Sequence, residues 1–170
     1  MHRLLLAAAA ALVATATPAF AQTTCKLEHA IYAERENGYE IRFRVPKTGE
    51  LMGMTESLFD LVTPDGRKLW GEIAGNMGTS RDVGRVYYGC QKPKPGGPHL
   101  TDEQIADCQQ WEGVVYAMNK GEPGFMPMYD APAPERILLS DLGRQIRYSP
   151  VGDGPSGEPW DVFDFKRCTK

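Results

Sequence analysis

Residues 39–45 alternate strictly between apolar and charged side chains, and this alternation constrains the fold of the chain most. The apolar members are Tyr39, Ile41, Phe43 and Val45. A period of two indicates a strand with one buried face and one solvated face. Asn37-Gly38 stands directly before it, and this pair favours a hairpin turn because both residues tolerate positive φ.

Other short apolar stretches follow, separated by turn signals rich in glycine, proline and aspartate. The further predicted strands are 27–34, 58–63, 68–74, 85–90, 114–118, 136–139, 145–148 and 160–166. The pair 136–139 and 145–148 flanks a second predicted hairpin turn at 141–143. Many short strands with frequent turns are typical of an antiparallel β-sandwich or a small barrel. The chain is therefore predicted to be mainly β.

One short α-helix is expected at about 101–112. Thr101 is a suitable N-cap, and Gln104 stands three residues on, which completes a capping box. Cys108 falls on the inward face of this helix, and Gly113 is placed to end it. A helix of three turns is too short to be stable alone, so it must dock on the sheet.

The first 21 residues have the pattern of a cleavable signal peptide. Arg3 precedes an apolar run at 4–13 that is too short to span a bilayer, and Ala19-Phe20-Ala21 fits the small-x-small cleavage pattern. The residues before Cys25 do not form a lipoprotein cleavage box, so no stable membrane anchor is expected. The chain is predicted to be a single domain, 22–170, in the periplasm or secreted.

Four cysteines remain after the signal peptide, at positions 25, 90, 108 and 168. An even number in an exported chain favours disulfides over metal ligands. Three pairings are possible. Cys90–Cys108 and Cys25–Cys168 are favoured, because the first would staple a Pro/Gly-rich excursion to the helix and the second would join the ends of the domain.

The charge balance is mildly acidic. Removing the one arginine of the signal leaves 18 basic against 22 acidic residues, a formal charge of −4. The charges are interspersed, without the basic face that nucleic acids or anionic membranes require. The composition therefore argues against a nucleic-acid partner.

Familiar catalytic motifs are missing from the sequence. The segment 78–82 lacks the second glycine of a nucleophile elbow. His29 and His99 are the only histidines after the signal, and a Ser-His-Asp site using either one stays open because triads are spatial. Asp102-Glu103 and the pair Asp161 and Asp164 do not resemble an acid/base dyad. An enzyme with a site assembled from scattered residues is the competing hypothesis.

Two short methionine patterns suggest a third possibility, soft-metal binding. They are Met52-Gly53-Met54 and Met126-Pro127-Met128. Methionines two apart on extended backbone point the same way, and thioether sulfur suits Cu(I). His29 or His99 could complete the ligand set. Methionine also commonly fills gaps in a core, and no cofactor is predicted.

The most unusual segment is the proline-rich stretch 121–136. Its large apolar side chains are Phe125, Met126, Met128 and Tyr129. A stiff loop loses little entropy on binding, and such side chains are enriched at interface cores. They are the predicted binding residues; the alternative is that they fold back over one open end of the sheet. A second candidate is the polar loop 75–85, which holds Asn76, Thr79, Ser80, Arg81 and Asp82.

Taken together, these features predict a small, exported, disulfide-bonded domain that binds a protein or an envelope component and is not an enzyme. The prediction depends on the missing catalytic motifs and on one stiff apolar loop at 121–136. The identity of the partner does not follow from the sequence.

Overall fold

The computed structural model describes residues 25–78, 81–98, 100–152 and 157–169. The predicted signal peptide lies outside the described residues. The strands are β1 (Ala30–Ala33), β2 (Glu40–Arg44), β3 (Thr55–Val62), β4 (Lys68–Ala74), β5 (Val83–Tyr87), β6 (Gln109–Asn119), β7 (Glu122–Gly124), β8 (Arg136–Leu139) and β9 (Val162–Cys168). The helices are a 3₁₀ turn (Leu27–His29), α1 (Asp102–Cys108) and α2 (Leu142–Arg147).

Eight of these strands close into an antiparallel barrel. Each strand pairs with the next along the chain, from β1 to β6 and then through β8 to β9, and β9 pairs with β1 to close the ring. β7 is a short extra strand paired with the end of β6. The prediction of a mainly β, antiparallel fold is confirmed. Of its two forms the barrel is observed, because one sheet closes on itself.

The barrel interior is a packed apolar core. The predicted alternation is confirmed within β2, since Ile41 and Phe43 are buried inside while Arg42 and Arg44 face outward. It is wrong at Val45, which follows the end of β2 and is 51% exposed. The largest fully buried side chains are Trp111, Tyr32, Tyr39, Phe59 and Phe163. Eight strands enclose a space just wide enough for side chains to fill. The surfaces open to a ligand or partner are therefore the barrel ends and the outer wall.

Trp111 lies against two glycines on neighbouring strands. Gly84 of β5 pairs in register with Gly113 of β6. A β-carbon at Gly84 would lie 2.7 Å from the indole, and one at Gly113 would lie 2.8 Å from it. The indole Nε1 donates a hydrogen bond to the carbonyl of Ser140 at 2.9 Å. Glycine is required at both positions, because any side chain there would displace the ring.

The predicted helix at 101–112 is correct at its start and wrong at its end. Thr101 and Gln104 form the predicted capping box, with bonds of 3.2 and 2.9 Å between each backbone N–H and the other side chain. The helix ends at Cys108, and the chain enters β6 directly. Burial of Trp111 and closure of the barrel against β5 require a strand here, and they override the local helical pattern.

The second predicted hairpin is also wrong in part, because 145–148 falls on α2 instead of a strand. The Asp161 carboxylate accepts hydrogen bonds from the backbone N–H groups of Asp141 at 2.7 Å and Gly143 at 2.9 Å. Helix starts leave such N–H groups without intrahelical partners. The group that satisfies them lies on a distant segment, so the local pattern does not reveal the helix.

Several other boundaries differ by a few residues. Residues 27–29 form the 3₁₀ turn before β1, and β3 begins at Thr55. β5 begins at Val83, inside the predicted loop 75–84, and Trp160 precedes β9. These shifts leave the order of the predicted strands unchanged.

Both favoured disulfides are formed. The Cα atoms are 5.7 Å apart in Cys25–Cys168 and in Cys90–Cys108. Disulfides persist in oxidising compartments, so the two bridges indicate an extracytoplasmic environment. Within the described ranges, no helix has the length and apolar character needed to cross a membrane.

The up-and-down strand order places successive connections at alternate ends of the barrel. The terminal end holds the segments next to Cys25 and Cys168 and the connections 45–54, 75–82 and 120–135. The distal end holds the connections 34–39, 63–67, 88–108 and 140–161. The connection 88–108 folds back along the outer wall, where the N–H of Gly96 bonds the carbonyl of Gly49 at 3.3 Å.

Candidate functional site

The four predicted binding residues lie on the 120–135 connection at the terminal end, and the structure divides them. Phe125 is 56% exposed and Met128 is 49% exposed, whereas Met126 is buried in the core and Tyr129 is half-buried. The prediction that Met126 and Met128 point the same way is wrong. Residues 125–128 are outside any strand and lead into a turn closed by the Met128 carbonyl. Phe125 and Met128 are thus exposed, as a contact loop requires, and Met126 folds into the core, as the alternative predicts.

This connection is attached to the start of the domain by backbone hydrogen bonds. The carbonyls of Tyr129 and Ala131 accept from the N–H groups of Glu28 at 2.8 Å and Leu27 at 2.9 Å. The N–H of Ala133 donates to the carbonyl of Cys25 at 2.8 Å. Cys25 is itself bonded to the end of β9. The loop therefore has a defined conformation before any partner binds.

A buried carboxylate holds the centre of the loop. The backbone N–H of Met126 donates to Oδ2 of Asp82 at 2.8 Å, and Asp82 is almost fully buried. Glu56 lies close enough to interact electrostatically with Asp82. Burial, with a smaller contribution from the negative charge of Asp82, raises the pKa of Glu56. Asp82 thus connects the loop to the segment before β5, and Glu56 lies near it.

Phe125 is held outward by a cation–π contact. The guanidinium carbon of Arg81 lies 4.4 Å from the centre of the Phe125 ring and 5.9 Å from that of Tyr116. Contacts of this kind contribute about 0.5–1 kcal/mol at exposed sites. The exposed ring is therefore positioned by its neighbours.

Two further methionines are exposed at the same end. Met54 and Met77 belong to the connections 45–54 and 75–82, which are joined by a 2.9 Å bond from the N–H of Gly75 to the carbonyl of Met54. We call four exposed apolar residues of the terminal end the apolar rim. Its members are Met54, Met77, Phe125 and Met128. Met77 lies in the predicted loop 75–85 but is not among the residues predicted to bind there.

The second predicted surface, the loop 75–85, contributes to this site through three residues, of which Met77 belongs to the apolar rim. Arg81 contacts Phe125, and Asp82 holds Met126 as described above. Asn76 also has an interaction partner. Thr79 and Ser80, the two hydroxyl-bearing residues of the segment 78–82, lie outside the described residues.

A cleft on the outer wall was not foreseen. It holds about 160 Å³ between β3, β4 and β5 on one side and the 88–108 connection on the other. Its floor includes the stacked pair Trp70 and Tyr87, whose ring centres are 4.0 Å apart. Glu50 borders it and is bonded to Arg44 at 2.7 Å. The ring stack and the ion pair both stabilise the wall itself.

A groove at the distal end was not foreseen either. Its exposed aromatic residues are Trp160 and Tyr148, which the sequence pattern places on strands. The sequence feature that could have indicated this groove is Trp160, a large aromatic residue in a segment rich in glycine and proline.

Metal binding has no further support from the described part of the chain. There, no three or more His, Cys, Asp or Glu side chains are grouped so as to hold a metal ion. Nε2 of His29 lies 3.7 Å from the Glu28 carboxylate, and His99 lies outside the described residues. Met52 lines the outer-wall cleft, whereas Met54 belongs to the rim. Copper binding through the methionines stays a prediction.

The acidic pairs considered from the sequence have structural roles. Asp102 and Glu103 occupy the first turn of α1, where acids are favoured by the helix dipole. Asp161 bonds the start of α2, and Asp164 bonds Arg35 at 2.7 Å. None of these carboxylates is placed with another as a catalytic pair.

Comparison of the chain with protein-family models, with curated proteins and with solved structures found no match in any of the three. Inference about function therefore depends on the surfaces described above.

Proposed function

We propose that this protein is an exported, non-enzymatic binding domain whose apolar rim contacts a protein partner outside the cytoplasm. The observation that carries the proposal is the exposed ring of Phe125, held at 4.4 Å by Arg81 on a loop whose next residue is anchored in the core. A large apolar side chain fixed in an exposed position is favourable for binding and unfavourable in isolation.

The physical argument is preorganisation. Binding normally loses free energy through ordering of loops and side chains, and a loop already fixed in its bound shape avoids most of that loss. The backbone bonds from Tyr129 and Ala131 to the N-terminal segment supply this fixation. Methionine side chains beside a rigid aromatic can adapt to the shape of a partner. The rim thus combines one rigid anchor with adaptable surroundings.

Replacing Phe125 and Met128 together with serine should weaken capture of the partner about tenfold or more, because loss of a central hot-spot side chain commonly reduces binding by that amount. Thermal unfolding should change little, since both side chains are exposed. The measurement is quantitative capture from an envelope extract of the producing organism by the wild-type and the variant protein. Met126 is kept, because deleting it would open the core.

Trp160→Ala is the matched control, because it removes an exposed aromatic residue at the opposite end of the barrel. It should leave capture by the rim unchanged. Equal capture by the Phe125/Met128 variant and the wild type would show that the rim is not the contact surface. Capture lost only in Trp160→Ala would move the contact to the distal end.

Export is the second part of the proposal, supported by the pattern at 1–21 and by the two disulfides. The protein isolated from its host should have the mass of residues 22–170, less the four hydrogens lost in forming two disulfides. Intact mass spectrometry under non-reducing conditions measures both at once. A chain that retains its first 21 residues, or one with four free thiols, would contradict export.

A further inference from the structure

The distal end carries the two most exposed aromatic side chains among the described residues. Tyr148 is 77% exposed and Trp160 is 57% exposed, and both stand on the 140–161 connection. They lie at the opposite end of the barrel from the apolar rim, so they are independent of the proposed function. Four arginines surround them. We call the group the distal groove, and its residues are Arg35, Arg136, Arg144, Arg147, Tyr148 and Trp160.

Trp160 is presented on a fixed frame. The Asp161 carboxylate next to it accepts hydrogen bonds from the start of α2, including the N–H of Gly143 at 2.9 Å. On its other side, the hydroxyl of Tyr39 donates to the carbonyl of Gly157 at 2.7 Å. The backbone is thus tied to the barrel on both sides of the indole, which keeps the exposed ring in place.

Three of the four arginines are paired with carboxylates that are less exposed than they are; the fourth, Arg136, is 31% exposed beside Asp164 at 36%. Nε of Arg35 is 2.7 Å from Asp164, and their side chains are 69% and 36% exposed. Hydrogen bonding to Arg35 lowers the pKa of Asp164, so this carboxylate stays charged and keeps the arginine in position. Arg147 bonds Glu158 at 3.1 Å in the same arrangement, with the arginine the more exposed partner.

Each guanidinium has five N–H donors, and one carboxylate leaves several of them for a ligand. Arg144, bonded to Asp141, is likewise more exposed than its partner. Three of the four guanidinium groups are therefore more exposed than the carboxylates that hold them. Their remaining N–H groups can bind an anion, although the chain as a whole is acidic.

Trp160 borders two open hollows. One, of about 310 Å³, is lined by Arg35 and Arg136. The other, of about 670 Å³, is lined by Arg144 and Arg147 together with the carboxylates of Glu158 and Asp161. The indole thus has a pair of arginines on each side. An extended chain crossing the indole would meet arginines before and after it.

We propose that the distal groove binds an extended, acidic segment of a second protein. The segment would place one apolar or aromatic side chain on Trp160 and aspartate or glutamate side chains against the arginines on either side. Tryptophan, tyrosine and arginine are the residues most enriched at the energetic centres of protein interfaces. Arginine also binds carboxylates through paired hydrogen bonds, which gives direction as well as attraction.

Glu36 supplies an internal test of the sign of this interaction. It is exposed and lines both hollows, and it is not one of the carboxylates named above as partners of the arginines. It should therefore repel an acidic segment. Glu36→Gln should strengthen binding of acidic peptides, whereas loss of an arginine should weaken it.

The experiment uses the purified, disulfide-bonded protein and a phage-displayed library of random dodecapeptides. Peptides are selected on the wild-type protein after depletion on Trp160→Ala, and the best is synthesised with capped ends. We expect aspartate or glutamate on both sides of an aromatic or aliphatic residue. Its affinity should fall about tenfold in Trp160→Ala and in Arg144→Gln/Arg147→Gln, and should fall with added salt.

Matched variants outside the groove separate this result from a general effect of charge or from the rim. Arg42→Gln removes an arginine on the outer wall, and Phe125→Ser alters the rim; both should bind the peptide as the wild type does. Neutral or basic selected peptides, no enrichment, or unchanged affinity in Trp160→Ala would overturn the proposal. So would groove-dependent binding of phosphatidylglycerol vesicles without any acidic peptide being selected.

Discussion

Replacing Cys25 and Cys168 with alanine should lower the free energy of unfolding by about 3–5 kcal/mol. The bond closes a chain separation of 143 residues, and the loop-entropy model gives roughly 5 kcal/mol for a loop of this length as an upper value. The bridge also fixes the N-terminal segment on which the 120–135 connection depends. Urea-induced unfolding, followed by circular dichroism, measures the loss. A reduction of this size is a large fraction of the stability of a typical domain.

The Cys90/Cys108 double alanine variant is the matched control. Its loop is shorter, with a separation of 18 residues, and the same model gives roughly 3 kcal/mol. The expected order is therefore a larger loss for the first variant than for the second. Equal losses, or a reversed order, would show that loop closure does not determine how much each bridge contributes.

Trp111→Ala should destabilise the domain by about 3–5 kcal/mol, the range for removing a large aromatic side chain from a core. Trp111 is almost completely buried, and the Gly84–Gly113 pair faces its ring. Neither glycine has a side chain that could fill the space left behind. The carbonyl of Ser140 would also lose its hydrogen bond from the indole. Chemical unfolding of the purified variant measures the effect.

Trp160→Ala, which removes an exposed tryptophan, should change the free energy of unfolding far less. A double-mutant cycle tests the glycine argument further. Gly84→Ala should destabilise the wild-type core by about 1–3 kcal/mol through overpacking. In the smaller Trp111→Phe core it should destabilise less. Additive losses in the double variant would mean that Val115, whose side chain lies 2.6 Å from the same β-carbon, and not the indole limits the space at Gly84.

The strands could be predicted where two local signals agree. At 39–45 the alternation and the preceding turn point to the same structure, and Gly38 adopts the expected positive φ of 81°. The two disulfide pairs could also be predicted. A bridge between the two ends of a domain and a bridge across a short loop are both compatible with a small sheet. These features depend on neighbours in sequence or on a simple topological argument.

The end of α1 and the whole of α2 could not be predicted, because distant groups determine them. The segment 109–112 continues the periodicity of α1, but Trp111 is required in the barrel interior, so the chain becomes a strand. At α2 the determining group is the Asp161 carboxylate, which belongs to another segment. The local sequence pattern therefore does not indicate the burial of Trp111 in the barrel or the hydrogen bonds from Asp161.

The candidate surfaces were predictable in composition and not in geometry. Phe125 and Met128 are exposed as expected for a contact loop, while Met126 between them is buried and bonded to Asp82. Nothing in the order of these residues indicates which of them turns inward. Trp160 is not among the predicted binding residues, because the apolar pattern at 160–166 predicts a strand that begins with it.

The covalent link between Cys25 and Cys168 has a mechanical consequence. Ala30 and Cys168 are paired on adjacent strands, and Cys168 also forms the bridge to Cys25. Tension applied between residues 25 and 168 would be carried by one sulfur–sulfur bond and would not reach the barrel. The folded ring is therefore shielded from stretching at its own ends, and under such a load the distal groove would keep its shape.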